Sequence, residues 1–235
     1  MVQVGRAGYS VPTKKDVVAE FRRSAIVAAA RKVFAQCGYR CCTVDNISEK
    51  AGIAKGTLYL YFKSKEEIYL TALMADVRDL QQEASRRVAV ARGAREKVRE
   101  FVAVRLEHSE RHANFWRIFF AEFSNLAVRP ANREANFAWM SPAAHSKQFQ
   151  AAVQRSVALL EEVLEEGIAQ REIHNVPVGR TALAITDLTR CVIERRLMGF
   201  VKSTAQEDLA FMMNLLWDGL IPRNPAPAAG GRKRG

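Results

Sequence analysis

From Thr13 to Arg129 the chain contains no proline, and its glycines there are single and widely spaced. Proline inside a helix removes a hydrogen bond and clashes with the preceding turn, at a cost of about 3 kcal/mol. A stretch this long without one is free to run helical, and its apolar spacing says that it does. Ile26, Ala29, Ala30, Val33, Phe34 and Cys37 fall at i, i+3, i+4, i+7, i+8 and i+11, while Arg22, Arg23, Arg31 and Lys32 lie off that stripe. Strand-like alternation bounded by turn clusters is absent. The expected fold class is all-α.

Punctuation divides the helices. Gly38 suits the end of the first, and Thr43 is a good N-cap for a second helix carrying Val44, Ile47 and Ala51 on one face. Gly52 interrupts, and a short third helix is predicted from about Ile53 to Phe62. Ser64 with Glu67 reads as a capping box opening a long fourth helix through roughly Val88. After Gly93, helices are predicted at about 94–110, 113–127, 146–170, 178–200 and 205–220, with 128–146 partly loop around Pro130 and Pro142. The expected organisation is a flexible basic arm over 1–16, a small helical domain over 17–65, a larger helical domain over 66–221, and a basic tail over 222–235.

Charge sharpens this division. The 235 residues carry 36 Lys and Arg against 25 Asp and Glu, a net +11, which points to a polyanionic partner. Residues 1–65 hold twelve cations and four anions, so +8, whereas residues 66–220 are at −1 and the last fifteen at +4. A basic patch confined to one small module is the electrostatic footprint of a nucleic-acid binder. No apolar run is long enough to span a bilayer, the first residues lack a secretory core, and four cysteines make no disulfide scaffold. A bacterial cytoplasmic, nucleoid-associated location is expected. The motifs of enzymes are also missing: there is no phosphate-cradling glycine loop, no Gly-x-Ser-x-Gly elbow and no His-Glu-x-x-His. Neither enzyme activity nor a cofactor is expected.

Two short helices joined by a glycine turn, behind a supporting first helix, are the parts of a helix-turn-helix. On the third helix Ala54, Leu58, Tyr61 and Phe62 group on one side, and Lys55, Gly56, Tyr59 and Lys63 lie opposite. The N-terminal end of that helix suits a major groove, where Lys55 can donate to guanine acceptors and Thr57 can touch a base edge. Gly56 leaves room for close backbone approach, and Tyr59 offers a phenol to phosphate or base. Thr43, Lys63 and Lys65 are placed for phosphates, as are the free N–H groups opening the second helix. With Tyr61, the candidate DNA contacts are therefore Thr43, Lys55, Gly56, Thr57, Tyr59, Tyr61, Lys63 and Lys65.

The run Thr43-Val-Asp-Asn-Ile-Ser-Glu-Lys-Ala-Gly-Ile-Ala-Lys-Gly-Thr-Leu-Tyr-Leu-Tyr-Phe-Lys-Ser-Lys-Glu-Glu67 resembles the signature of the tetracycline-repressor (TetR) family. The resemblance spans residues 24–70, and the rest agrees with the family only in length and helical layout. One departure is Ala54, where the family often has a small polar residue; Ala54 offers no side-chain cap or phosphate bond. The resemblance implies a homodimer on a short palindromic operator, one recognition helix per half-site, and usually repression relieved by a small-molecule effector. It also implies that 17–65 is the DNA-binding domain and that 66–221 binds ligand and dimerises, the latter through the last two helices. There Ile185, Leu188, Val192 and Phe200 line one stripe, and Leu209, Met212, Met213, Leu216 and Leu220 line another. The candidate interface is Ile185, Leu188, Val192, Leu209, Met213 and Leu216.

Other signals have blander readings. Phe115, Trp116, Phe119, Phe120 and Phe123, with Phe137, Trp139, Met140 and His145 beyond the break, suggest an apolar ligand pocket, for which Trp116, Phe120, Trp139 and His145 are the candidates. Spacing at 116, 119, 120 and 123 is equally that of a buried helix face, and core is the favoured role. His108 and His112, at i and i+4, have metal-ligand spacing, but no further motif completes a site and a solvated pair is the simpler reading, so no metal is expected. Cys41-Cys42 would suit a redox or metal switch, although ordinary thiols are favoured. Activation in place of repression, and a basic membrane-surface protein, complete the alternatives.

Overall fold

The computed structural model describes residues 13–123 and 147–219. Every regular element among them is helical: α1 (Lys14–Cys41), α2 (Val44–Ala51), α3 (Lys55–Tyr59), α4 (Lys65–Val90), α5 (Ala94–Arg111), α6 (Ala113–Ile118), a π-helical turn (Phe119–Phe123), α7 (Lys147–Ala169), α8 (Val178–Leu197) and α9 (Ala205–Trp217). The chain divides after Leu73 into two compact units, a head and a body. Most of the expected arm, all of the expected tail, and Phe137, Trp139, Met140, His145 and Leu220 lie outside the described residues.

Local chemistry sets the ends of the head helices. Helix α1 begins earlier than the sequence suggests because Thr13 and Asp16 form a capping box: the Thr13 hydroxyl accepts from the Asp16 N–H at 3.3 Å, and the Asp16 carboxylate accepts from the Thr13 N–H at 2.9 Å. Residues 14–16, expected in the arm, are therefore helical. Gly38 interrupts regular helix geometry (φ 78°, ψ 167°) before a last turn to Cys41. Thr43 caps α2 by accepting from the Asn46 N–H at 3.2 Å. Gly52 then takes the left-handed conformation (φ 68°, ψ 33°), which lets Ile53 N–H close onto the Ser48 carbonyl at 3.0 Å. That closure is the turn of the helix-turn-helix.

Helix α3 is shorter than the predicted 53–62. Ala54 supplies no side-chain cap at its start. At its end Leu60 and Tyr61 donate three residues back, to Thr57 at 3.2 Å and Leu58 at 3.0 Å, so the chain tightens out of α geometry. Leu58 and Phe62 remain fully buried and fix both ends of this segment. Ser64 caps α4 by accepting from the Glu67 N–H at 3.1 Å, but the Glu67 carboxylate reaches back one residue beyond the cap, to Lys63 N–H at 2.7 Å.

The head core reaches past residue 65. Ile26, Phe34, Ile47, Leu58, Phe62, Ile68 and Tyr69 are all sealed from solvent, and the Phe34 and Tyr69 rings meet edge to face at 5.2 Å. Burying each such side chain contributes about 1.5–3 kcal/mol. The first turns of α4 thus belong to the head, and the compact unit ends after Leu73, beyond the 65/66 boundary expected from charge.

In the body, α5 is central and packs on α6, α7, α8 and α9. The α5–α7 approach depends on Gly167: a Cβ there would lie 2.6 Å from Ala94 Cβ and 2.8 Å from Ile173 Cδ1. Polar ties supplement packing. Arg87 bridges from α4 to Glu100 at 2.5 Å and Glu107 at 2.6 Å on α5. Arg196 of α8 donates to the Leu106 carbonyl at 3.0 Å and the Ser109 hydroxyl at 3.1 Å, and pairs with buried Asp208 of α9 at 3.4 Å.

Candidate nucleic-acid interface

The exposed side of the head is built on that core. Leu58 and Phe62 point inward, so Lys55, Gly56 and Tyr59 face outward; Tyr59 is 48% exposed. Thr57 and Tyr61 are half-buried, and Thr43 and Lys63 are exposed. Lys55 donates to Asp45 of α2 at 2.9 Å, and this hydrogen bond, aided by the carboxylate charge, holds its ammonium above the ordinary lysine value. An exposed pair of this kind is weak and exchanges readily for a phosphate or a base. Around Gly56 nothing lies within 4 Å of a would-be Cβ, so the surface there is open to a close-approaching ligand.

Two cations are committed to the fold. Lys65, expected on a phosphate, is half-buried: its ammonium donates to the Tyr39 carbonyl at 2.8 Å and the Cys42 carbonyl at 2.9 Å, and lies 4.6 Å from the Tyr39 ring centre. Sequence spacing alone does not reveal this, because the carbonyls lie 26 and 23 residues upstream. Arg23, read only as off the apolar stripe, donates to the Tyr61 carbonyl at 2.7 Å and stacks over the Phe62 ring at 4.2 Å. It clamps the end of the α3 segment to α1.

Residues 26–72 match the family described as "Bacterial regulatory proteins, tetR family". The head carries a TetR-family domain. It is 31% identical over 110 residues to HTH-type transcriptional regulator YhgD of Bacillus subtilis, covering 46% of this chain and 58% of that protein. It is 30% identical over 99 residues to HTH-type transcriptional activator FasR of Mycolicibacterium smegmatis, covering 42% of this chain and 45% of that one. The chain thus spans about half the length of these curated relatives. A solved structure of a transcriptional regulator FadR from Bacillus subtilis, in complex with stearoyl-CoA, shares the fold with a TM-score of 0.63 at 22% identity, covering 84% of this chain and 99% of that one.

In the body, a cavity of about 350 Å³ is lined by Leu80, Ala84, Phe101 and Leu159, with Arg105 and Arg155 among its polar residues. The Nε of Arg105 is buried with no hydrogen-bond partner among the described residues. Burial pushes the Arg105 guanidinium down to about 10, with Asp187 opposing and Arg190 adding to the shift, so it stays charged at neutral pH. Trp116 and Phe120, the described members of the expected pocket, are not among the residues lining this cavity, although Trp116 packs behind its wall. Phe120 is buried, and Trp116 packs against Leu80, Ala84 and Val104 while its ring meets Phe119 and Phe120.

His108 and His112 overturn the solvated-pair reading. His108 is buried, its Nε2 lies 2.8 Å from Asp76 Oδ2, and His112 Nδ1 lies 2.9 Å from Asp76 Oδ1. Asp76 comes from α4, 32 residues before His108, so no local motif announces it. Cys41 is exposed and Cys42 buried. Burial, with Cys37 nearby, pushes the Cys42 thiol up to about 11 against the opposing pull of Lys65, and this holds Cys42 in its unreactive thiol form at neutral pH.

The expected interface residues divide. Ile185 and Met213 are buried within one chain, whereas Leu188, Val192, Leu209 and Leu216 are half-buried. Leu183 and Phe211, which the stripes omit, are 48% and 55% exposed on α8 and α9. No helix among the described residues is long and apolar enough to cross a membrane.

Proposed function

We propose that the chain is a DNA-binding transcriptional regulator that acts as a homodimer and represses until a small-molecule effector releases it. The observation that carries this reading is the outward face of α3, where Lys55, Gly56 and Tyr59 stand clear of a sealed core inside a TetR-family domain. Lys55, Thr57, Tyr59 and Tyr61 meet the groove, and Thr43 and Lys63 meet phosphates. Lys65 acts indirectly, by holding the segment before α2 in place. The chain is a binding protein and not an enzyme, and it works in the cytoplasm.

Dimerisation supplies the second half-site. The half-buried row Leu188, Val192, Leu209 and Leu216 and the exposed Leu183 and Phe211 give α8 and α9 an apolar face that a second copy covers.

The effector class follows from the cavity. Its walls are largely aliphatic and aromatic, with cationic Arg105 and Arg155 on its rim or wall. That combination suits an amphipathic anion with a hydrocarbon chain, and an acyl-CoA bound by a solved protein of the same fold supports the choice. The effector relieves repression only if it binds the DNA-incompetent arrangement more tightly, because equal affinity shifts nothing.

Selection from a random duplex library tests the regulator reading. Enrichment of an inverted repeat with half-sites a helical turn or a multiple apart is expected; recovery of unrelated sequences would sink it. Stearoyl-CoA added to the enriched complex is expected to release the DNA, and release that survives Arg105→Gln unchanged removes the cavity from the effector site.

A further inference from the structure

The body holds a second polar centre that neither DNA binding nor the effector cavity uses. His108 and His112 stand one helical turn apart at the C-terminal end of α5, which puts both imidazoles on one side. Their rings lie parallel with centres 4.4 Å apart. Both face Asp76 of α4, whose side chain is completely sealed from solvent. One nitrogen from each ring and a carboxylate oxygen lie within 4.8 Å of one another.

We propose that Asp76, His108 and His112 form a binding site for a divalent transition-metal ion of the Zn²⁺ class. Two imidazoles and one carboxylate are the donor set that such ions take, with a further position left for water or an exogenous ligand. Tetrahedral bonds of about 2.0–2.1 Å place neighbouring donor atoms about 3.4 Å apart. The imidazole nitrogens lie 2.8 and 2.9 Å from the carboxylate oxygens, so an outward shift of about 0.5 Å opens the space for the ion. For the cation to enter, the ring nitrogens that face Asp76 present their lone pairs to it, so any proton they carry passes to the other ring nitrogen or to water.

Three further features fit a metal site. Trp116 Nε1–H donates to Asp76 Oδ2 at 2.9 Å, the kind of outer hydrogen bond that orients a ligating carboxylate. His108 is almost fully buried, whereas the side chain of His112 is 34% exposed, giving the ion a route in and an open coordination position. The ion would also crosslink α4 to α5, adding a bond between helices that otherwise meet here through side-chain contacts.

The test uses the full-length chain, free of any histidine tag and stripped with chelator, titrated calorimetrically with Zn²⁺ and spectroscopically with Co²⁺. One Zn²⁺ per chain at micromolar affinity or tighter is expected, with visible Co²⁺ bands of a low-coordinate site. His112→Gln, partly exposed and tolerant of substitution, is expected to weaken binding about a hundredfold or more, and Trp116→Phe about tenfold. Asp76→Asn is expected to abolish binding, and circular dichroism shows whether each variant is folded. His174→Gln, on an exposed residue away from the cluster, serves as the control and is expected to change nothing. Absence of Zn²⁺ binding by the parent, or binding that a folded His112→Gln retains at full affinity, overturns the proposal.

Discussion

The head closes Ile26, Phe34, Ile47, Leu58, Phe62 and Tyr69 into an apolar core and leaves Lys55 and Lys63 on its surface. The body buries Asp76, His108, Thr189 and Asp208 among its helices, and Ser48 is the head's one buried polar residue among those described. The difference follows from the work proposed for each. A head that reads DNA needs its cations outside, where they exchange water for phosphate at little cost, over a core that does not deform. A body that captures small ligands needs polar groups inside, where low dielectric makes each contact count and each unpaired group expensive.

If that contrast holds, polar substitutions destabilise the body most. Asp208→Ala removes the nearer and more buried carboxylate from Arg196, itself almost fully buried, and leaves only the half-exposed Glu110 at 3.9 Å; a loss of about 3 kcal/mol in chemical denaturation is expected. A change under 1 kcal/mol would mean that the pair contributes no more than one on the surface.

Lys65 breaks the pattern from the head's side, as a cation used for structure. Lys65→Met keeps the stem and removes the ammonium from the Tyr39 and Cys42 carbonyls. A loss of about 1.5–3 kcal/mol is expected. Unchanged stability together with a flatter salt dependence of DNA binding would return Lys65 to the phosphate contacts.

Cys42 gives a smaller, pH-resolved effect. Its thiol is raised to about 11, so the stability it contributes is fully present below the unfolded thiol value and is lost as pH climbs towards about 11. A thiol reagent at pH 8 is expected to modify exposed Cys37 and Cys41 quickly and Cys42 slowly. Equal rates at all three would show that the head core opens readily.

The contrast also explains what could be read from the sequence. Head features are local: Thr43 caps three residues ahead, Gly52 turns the chain, and Leu58 and Phe62 share a face, so spacing along the chain reveals them. Body features pair residues far apart, Asp76 with His108 and Arg196 with Asp208 across separate helices, and periodicity carries no trace of such partners. The His108–His112 spacing was legible, but its buried carboxylate was not. In the head, too, the non-local parts escaped: the carbonyls that hold Lys65, and the Ile68 and Tyr69 side chains that carry the domain past residue 65. Ala54 was visible as a missing cap, and α3 starts without one.

The most direct test of the head as a DNA reader is the affinity of Tyr59→Ala and Lys55→Ala for a selected operator duplex, measured beside their affinity for a scrambled duplex. Both side chains stand outside the core, so chemical denaturation is expected to be unchanged while specific affinity falls about tenfold to a hundredfold per subunit. Binding of both variants to the operator with parental affinity would contradict the assignment of α3 as the recognition helix.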